Sequence, residues 1–154
     1  MEAPVASQWG PAFWIFLHSA AEQFGSVRTR LINEETRIWA GLLYSLRYSL
    51  PCPACKKHYT EYYTKKPMKA ITRDTLRTWL WELHSDVNRR QERANGCTLE
   101  QLPVIYGTPF SFDEQYNCII GHMKRALRLG WCSREDLQRT ARFMEEMRRY
   151  YSWP

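Results

Sequence analysis

The chain has 154 residues, of which 44% are hydrophobic and 25% are charged, and its formal net charge is +6. These values fit one globular domain with a helical appendage. Residues 1–10 show no charged region followed by an apolar run, and no apolar run is long enough to span a bilayer, so neither a signal peptide nor a membrane anchor is predicted. Without a secretory signal, the five cysteines do not indicate a secreted disulfide framework.

The hydrophobic pattern predicts six helices and almost no strand, and therefore an all-α fold. The predicted helices cover residues 11–24, 33–49, 52–63, 72–93, 111–129 and 133–151. Pro11 opens the first helix, Asn33 caps the second, and Asn95-Gly96 ends the fourth. Residues 102–110 contain two prolines and a glycine and are predicted to form a linker. We interpret residues 1–101 as a four-helix bundle and residues 102–154 as a two-helix C-terminal extension.

The basic residues are scattered along the chain, and in the last predicted helix arginines are interleaved with glutamates. Scattered charge is typical of a solvated face, so nucleic acid is not predicted as a partner, although a phosphate-bearing cofactor would use some of this charge. Aromatic residues make up 14% of the chain. They are either large core side chains or surfaces on which a flat cofactor stacks.

Cys52 and Cys55 form a CxxC pair at the predicted start of the third helix, with His58 three residues further on. Two thiols at this spacing can close a reducible disulfide, and a helix N-terminus stabilises the thiolate that such chemistry needs. The same spacing is also half of a zinc site. The CxxC therefore predicts either thiol redox chemistry or metal binding.

Three of the four histidines lie on three different predicted core helices, each with a second polar or aromatic residue on the same face. Trp14 and His18 are four residues apart on the first helix, as are His84 and Asn88 on the fourth. A single histidine on an apolar face is usually an ordinary core residue. Because the arrangement recurs on three helices, a shared functional site and ordinary packing both remain open.

Three blocks of this sequence resemble the ERV/ALR family of FAD-dependent sulfhydryl oxidases. The family motifs are Gly, Trp and His at four-residue steps, then CxxC-x-x-His, then His-Asn-x-Val-Asn with a basic residue five beyond. The matching residues are Gly10, Trp14 and His18; Cys52, Cys55 and His58; and His84, Val87, Asn88 and Arg93. Their order and spacing agree across about residues 9–97.

The resemblance implies a bundle whose mouth holds FAD. The implied cofactor-binding residues are Gly10, Trp14, His18, Cys55, His58, His84, Val87, Asn88 and Arg93. Among them, the flat rings would pack against the adenine and isoalloxazine, and Arg93 would neutralise the pyrophosphate. Cys52 and Cys55 would be the catalytic pair: Cys52 would exchange disulfides with a substrate dithiol, and Cys55 would face the flavin.

The resemblance also implies partners and a location. The substrate would be a protein or small-molecule dithiol, and molecular oxygen would accept the electrons and give hydrogen peroxide. Members of the family commonly form homodimers, so a homodimer is expected. Short members occur in the mitochondrial intermembrane space, the secretory pathway and large DNA viruses. The compact core and the extension favour a viral member, in the cytoplasm of the infected cell or the virion, with the mitochondrial intermembrane space as the alternative.

The chain departs from the family pattern at several positions. Pro11 stands where an Arg usually follows the first Gly, Leu50 replaces an aromatic residue, and Ser85 replaces the first Asn of the third motif. The family has a disulfide with the spacing Cys-x16-Cys. In this chain Trp81 stands at the position of its first cysteine, and Cys97 lies near the position of its second cysteine. We expect Trp81 to fill the space by packing, and Cys97 to be an orphan or to have another partner.

Two further cysteines, Cys118 and Cys132, lie in the extension. About twelve helical residues at ~1.5 Å each would separate them by ~20 Å, which is beyond the reach of a disulfide, so we expect buried free thiols. The alternative function is a zinc-binding helical interaction module, in which Cys52, Cys55, Cys118 and His122 form a Cys3His site. That hypothesis leaves the histidine pairs on the other helices unexplained.

Overall fold

The protein is helical in a computed structural model that describes residues 3–28, 33–94 and 96–154, and no strand occurs within these ranges. The α-helices in them are α1 (Ala6–Glu22), α2 (Glu34–Ser49), α3 (Pro53–Lys65), α4 (Arg73–Arg90), α5 (Leu102–Tyr106), α6 (Phe112–Arg128) and α7 (Arg134–Tyr151). A 3-10 turn, Leu99–Gln101, precedes α5. The predicted all-α class is confirmed. None of the helices described is both long and apolar enough to cross a membrane.

Most helices begin where the capping residues predict. The side-chain oxygens of Thr72, Ser111 and Ser133 accept hydrogen bonds from the backbone N–H three residues on, which satisfies one of the unpaired donors of the first turn. Asn33 occupies the N-cap of α2 as predicted, but its side chain makes no capping bond.

Several predicted bounds differ from the structure, and one helix was missed. Helix α1 begins at Ala6 and contains Pro11, because the buried Trp9 packs edge-on against Phe13 and stabilises the turn before the proline. Helix α4 ends at Arg90, three residues early. The predicted linker contains α5, which is anchored by the fully buried Leu102. Asn95, predicted to help end α4, lies outside the described residues.

One hydrophobic core joins the C-terminal helices to the first four. Helix α6 packs against α1, and α7 packs against α2. Ile119 and Met123 of α6 and Met144 and Met147 of α7 are fully buried in the cluster that contains Trp39 of α2. Burying each of these side chains stabilises the fold by about 1.5–3 kcal/mol. The division at residue 101 remains a prediction about domain organisation.

Buried polar contacts fix α7 on α2. The hydroxyl of Tyr151 donates to Glu35 Oε2 at 2.6 Å and accepts from the indole Nε1 of Trp39 at 3.0 Å. A methyl group at Gly41 would collide with the ring of Phe143, so the glycine permits the close approach of the two helices. The α2–α7 contact is therefore specific in both shape and hydrogen bonding.

Candidate functional site

The CxxC pair lies at the N-terminus of α3, as predicted. Pro51 follows the end of α2, and Cys52 is the N-cap of α3 with an extended backbone, at φ −159° and ψ 123°. Its Sγ accepts a hydrogen bond from the Cys55 backbone N–H at 3.3 Å. Both cysteines are half-buried free thiols, and Pro53 and Ala54 between them are exposed. A substrate thiol can therefore approach the pair from the start of the helix.

The thiol of Cys55 is held in its protonated form. Burial raises its pKa to about 12, and a hydrogen bond with Cys52 adds to the shift. The nucleophilic and electron-donating form of cysteine is the thiolate. A nearby group that takes the proton would therefore favour chemistry at Cys55 near neutral pH.

Four aromatic rings form a stack between α1, α4 and α5. Trp14 and His84 are nearly parallel, with centroids 4.0 Å apart and planes 8° apart. His18 stacks on Tyr106 with centroids 4.6 Å apart. The structure thus brings together Trp14, His18 and His84 as the sequence predicts, and it adds Tyr106.

The two histidines of this stack are neutral at physiological pH. Burial and the neighbouring His84 lower the pKa of His18 to about 3, and burial and the Arg93 guanidinium lower that of His84 to about 4. His18 Nε2 lies 3.1 Å from His84 Nδ1, so one neutral ring donates a hydrogen to the other. The stack presents uncharged rings, which suit a flat aromatic ligand.

The other predicted residues of this region lie around the stack. Asn88 is buried, and its carbonyl accepts from the Arg93 backbone N–H at 2.8 Å, which brings Arg93 back beside α4. Val87 packs against the core. A Cβ added at Gly10 would meet no atom within 4 Å, so the space beside this glycine, one turn before Trp14, is open.

His58 lies elsewhere, in a groove between α3 and α4. Its Nε2 is 2.6 Å from Asp86 Oδ2, and Asp86 also bonds to Arg89. Residues Ser85 and Asp86 line this groove, whereas His84 faces α1, because successive helical positions point in different directions. The predicted site residues therefore form two groups, one on each side of α4.

The groove has a volume of about 510 Å³ and basic side chains along it. These cations are Lys65, Lys66, Arg89 and Arg90. The hydroxyl of Tyr62, which also lines the groove, is buried and has no hydrogen-bond partner among the residues that the structure describes. Three carboxylates, those of Glu61, Glu82 and Asp86, line the same groove, so its charge is mixed.

Trp81 and Cys97 are joined by a hydrogen bond. The indole Nε1 of Trp81 donates to the Cys97 carbonyl at 2.9 Å, which ties α4 to the segment before α5. Trp81 was expected to act by packing alone, so the hydrogen bond is an addition. The Cys97 thiol remains free, and burial raises its pKa.

The remaining cysteines are half-buried free thiols in contact with backbone carbonyls. Cys118 lies 3.7 Å from the Gln8 oxygen and Cys132 lies 3.8 Å from the Met123 oxygen. Within the described ranges no three His, Cys, Asp or Glu side chains are grouped so as to hold a metal ion. The zinc hypothesis therefore gains no support from this arrangement.

The turn between α6 and α7 reaches the CxxC helix. Lys56, in the first turn of α3, donates to the Trp131 carbonyl, and its positive charge lies close enough to act on Cys132. The C-terminal helices thus contact the element that carries Cys52 and Cys55.

Two residues of these groups were missed by sequence reasoning. Tyr106 lay in the predicted linker, and Asp86 occupies the variable position of the third motif. An aromatic residue in a linker gives no periodic signal, and one carboxylate on a charged helix gives none either. Only the tertiary contacts identify them.

Together, a helical fold, a CxxC at a helix N-terminus and a parallel Trp–His stack are features that thiol redox chemistry and a flat ligand would use. The sequence profile of the Erv1/Alr family matches residues 11–106 of the chain, and the protein belongs to that family. The resemblance identified from the motifs is thereby confirmed.

Several relatives carry a shared name. The FAD-linked sulfhydryl oxidase of African swine fever virus (isolate Pig/Kenya/KEN-50/1950) is 32% identical over 82 residues, 53% of this chain and 66% of the relative. The FAD-linked sulfhydryl oxidase ERV1 of Arabidopsis thaliana is 31% identical over 80 residues, 52% of this chain and 40% of the relative. The mitochondrial FAD-linked sulfhydryl oxidase ERV1 of Saccharomyces cerevisiae is 24% identical over 90 residues, 58% of this chain and 46% of the relative.

The chain spans just under two thirds of the viral relative and less than half of the plant and yeast relatives. Among solved structures, no significant match is found.

Proposed function

We propose that this protein is an FAD-dependent sulfhydryl oxidase that forms disulfides in substrate dithiols. The observation that carries the proposal is the CxxC pair at the N-cap of α3 in the same bundle as the parallel stack of Trp14 on His84. Membership of the Erv1/Alr family supports it, as do the names of the viral, plant and yeast relatives.

The side chains around α4 fit FAD in both shape and charge. Flat neutral rings at Trp14, His18 and His84 suit its aromatic parts, and the guanidinium of Arg93, close enough to lower the pKa of His84, suits its diphosphate. Gly10, His58, Val87 and Asn88 complete the proposed set. When bound, FAD would take two electrons from the reduced CxxC and deliver them to oxygen, giving hydrogen peroxide.

The two cysteines perform the thiol exchange. A substrate thiolate attacks Cys52 Sγ of the Cys52–Cys55 disulfide, and Cys55 leaves with the electron pair. The second substrate thiol then displaces Cys52, which releases the oxidised substrate and leaves the CxxC as a dithiol. Cys52 suits the first role because it caps the helix, next to the exposed Pro53.

The proposal extends to partners and location. The substrate is a protein or small-molecule dithiol, and the protein is a homodimer. Because α6 and α7 cover faces of α1 and α2, a dimer has to use another surface, such as the exposed Tyr44 and Tyr48 on α2. The viral relatives favour the cytoplasm of an infected cell or the virion, and the yeast relative favours the mitochondrial intermembrane space.

Oxygen consumption with dithiothreitol tests the activity. The FAD-loaded protein should consume oxygen and form about one hydrogen peroxide for each dithiol oxidised, as a two-electron transfer requires. The Cys55→Ser protein should consume oxygen only at the background rate. A loaded protein that shows no dithiol-dependent oxygen uptake would refute the proposed function.

A further inference from the structure

The proton of Cys55 needs an acceptor, and the nearest candidate on the same helix is His58. Cys55 and His58 are three residues apart on α3, a spacing that places their Cβ atoms roughly 5–6 Å apart on neighbouring positions of the helix surface. Acid–base partners work at hydrogen-bond distance or through one water. A side chain at this position can therefore reach Cys55.

The contact with Asp86 fixes the tautomer of His58. An ionised carboxylate only accepts hydrogen bonds, so Nε2 of His58, at 2.6 Å from Asp86 Oδ2, carries the hydrogen. The lone pair of the neutral ring is then on Nδ1. Both side chains are largely shielded, with 13% of His58 and 21% of Asp86 exposed, so solvent competes weakly for this bond.

Asp86 is itself held in place as an anion. Burial alone would raise its pKa, but hydrogen bonds from His58 and Arg89 outweigh that effect and lower it. Arg90 Nε lies a further 3.5 Å from Oδ2. The carboxylate is therefore charged at neutral pH, with Arg89 on Oδ1 and Arg90 beside the oxygen that bonds to His58.

We propose that Asp86 is a positioning residue that holds His58 so that His58 accepts the proton of the Cys55 thiol. The proton moves from Sγ to Nδ1 and leaves a thiolate beside an imidazolium. No electron moves, and Asp86 keeps its negative charge and stabilises the imidazolium. The reverse transfer protonates Cys55 after it leaves a disulfide. The inference rests on the proposed function only in assigning Cys55 as the thiol that passes electrons onward.

Other charged side chains also line the groove around His58, and one of them serves as the control for charge alone. Glu61 and Lys65 of α3 and Glu82, Arg89 and Arg90 of α4 line the same groove. A carboxylate acting only through its charge would repel a thiolate at Cys55, so removing it would raise reactivity. A carboxylate acting through His58 has the opposite effect. The sign of the change therefore separates the two explanations.

The test measures the rate at which iodoacetamide alkylates Cys55 as a function of pH. The Cys52→Ser chain leaves Cys55 without its neighbouring thiol, and peptide mass spectrometry distinguishes Cys55 from the other cysteines. Adding Asp86→Asn should lower the rate at pH 7 about tenfold, which corresponds to a rise of about one unit in the pKa of Cys55. Glu82→Gln, one turn away on α4, removes a carboxylate of the same groove that has no hydrogen bond to His58, and it should not lower the rate.

Two further variants test whether altered folding, and not the loss of the Asp86 carboxylate, lowers the alkylation rate. In a chain that already carries His58→Asn, the further change Asp86→Asn should have no effect on the alkylation rate. In a chain that keeps His58, Asp86→Glu should retain part of the wild-type rate. An unchanged or faster rate with Asp86→Asn would overturn the inference, as would an effect of Asp86→Asn that persists without His58. Because the readout is alkylation, the result does not depend on whether the protein oxidises dithiols.

Discussion

The two thiols of the CxxC differ in their surroundings although they lie within one helical turn. Cys52 caps α3 and accepts a backbone hydrogen bond, whereas burial raises the pKa of Cys55. The resemblance to the ERV/ALR family implies such a difference, because it assigns Cys52 to the substrate and Cys55 to the flavin. The sequence does not show that Cys55 is buried, and this burial is the reason why a proton acceptor would help its chemistry.

Substitution of either cysteine should separate the two roles. Cys55→Ser should reduce oxygen consumption with dithiothreitol to the background rate while FAD stays bound, because flat rings and cations hold the cofactor. Cys52→Ser should also be inactive, yet its remaining Cys55 should still perturb the flavin absorbance. Absorption spectra and oxygen uptake check both expectations. An active Cys52→Ser protein, or loss of FAD from Cys55→Ser, would contradict the assignment.

The neutral histidine pair makes stability depend on pH. The pKa values of His18 and His84 are about 3 and about 4 in the folded chain, below the ordinary value of 6.5. Between these values and 6.5 the unfolded chain binds protons that the folded chain does not. The free energy of unfolding should therefore fall as the pH falls from about 6.5 towards 3.

Urea unfolding at pH 7 and pH 4.5 measures this loss. Carboxylates contribute to it as well, so the informative quantity is the difference between wild type and His18→Gln. The variant should lose less free energy of unfolding between the two pH values. An equal loss of the free energy of unfolding in the two proteins would show that His18 binds a proton as readily in the folded chain as in the unfolded chain.

At the scale of elements, capping residues and apolar periodicity predict most of the helices. Thr72, Ser111 and Ser133 mark starts correctly, because each supplies a side-chain acceptor to the first turn. Local signals fail where tertiary packing decides. The turn before Pro11 is held by burial of Trp9, and α5 lies in a proline-containing segment that packing makes helical.

The Tyr151 hydroxyl is one of the buried polar contacts that dock α7 on α2, beside the hydrogen bonds of Thr140 with Ser45 and Ser49. Tyr151→Phe should lower the free energy of unfolding by about 1–3 kcal/mol, because it leaves the buried Glu35 carboxylate and the Trp39 indole without their shared partner. The neighbouring Tyr150 is only half-buried, and Tyr150→Phe is the matched control. Chemical denaturation compares the two variants. Equal small changes would show that the buried hydroxyl does not fix α7.

For the whole molecule, the sequence motifs identify the family and supply the residues proposed for the site, but they do not predict how those residues are arranged. His58 and His84 both match the family pattern, yet they lie on opposite sides of α4, one beside Asp86 and one beside Trp14. Spacing along one helix predicts which residues share a face. It does not predict which neighbouring helix each face meets.

We propose that this protein couples thiol oxidation at the CxxC to a bound flavin. The most direct test is the visible absorption spectrum of the purified chain after incubation with FAD and removal of the excess. The band should bleach when dithiothreitol is added without air and should return on re-aeration, and Cys55→Ser should not bleach under the same conditions. A colourless protein that takes up no FAD, or a flavin band that dithiothreitol bleaches equally in wild type and Cys55→Ser, would contradict the claim.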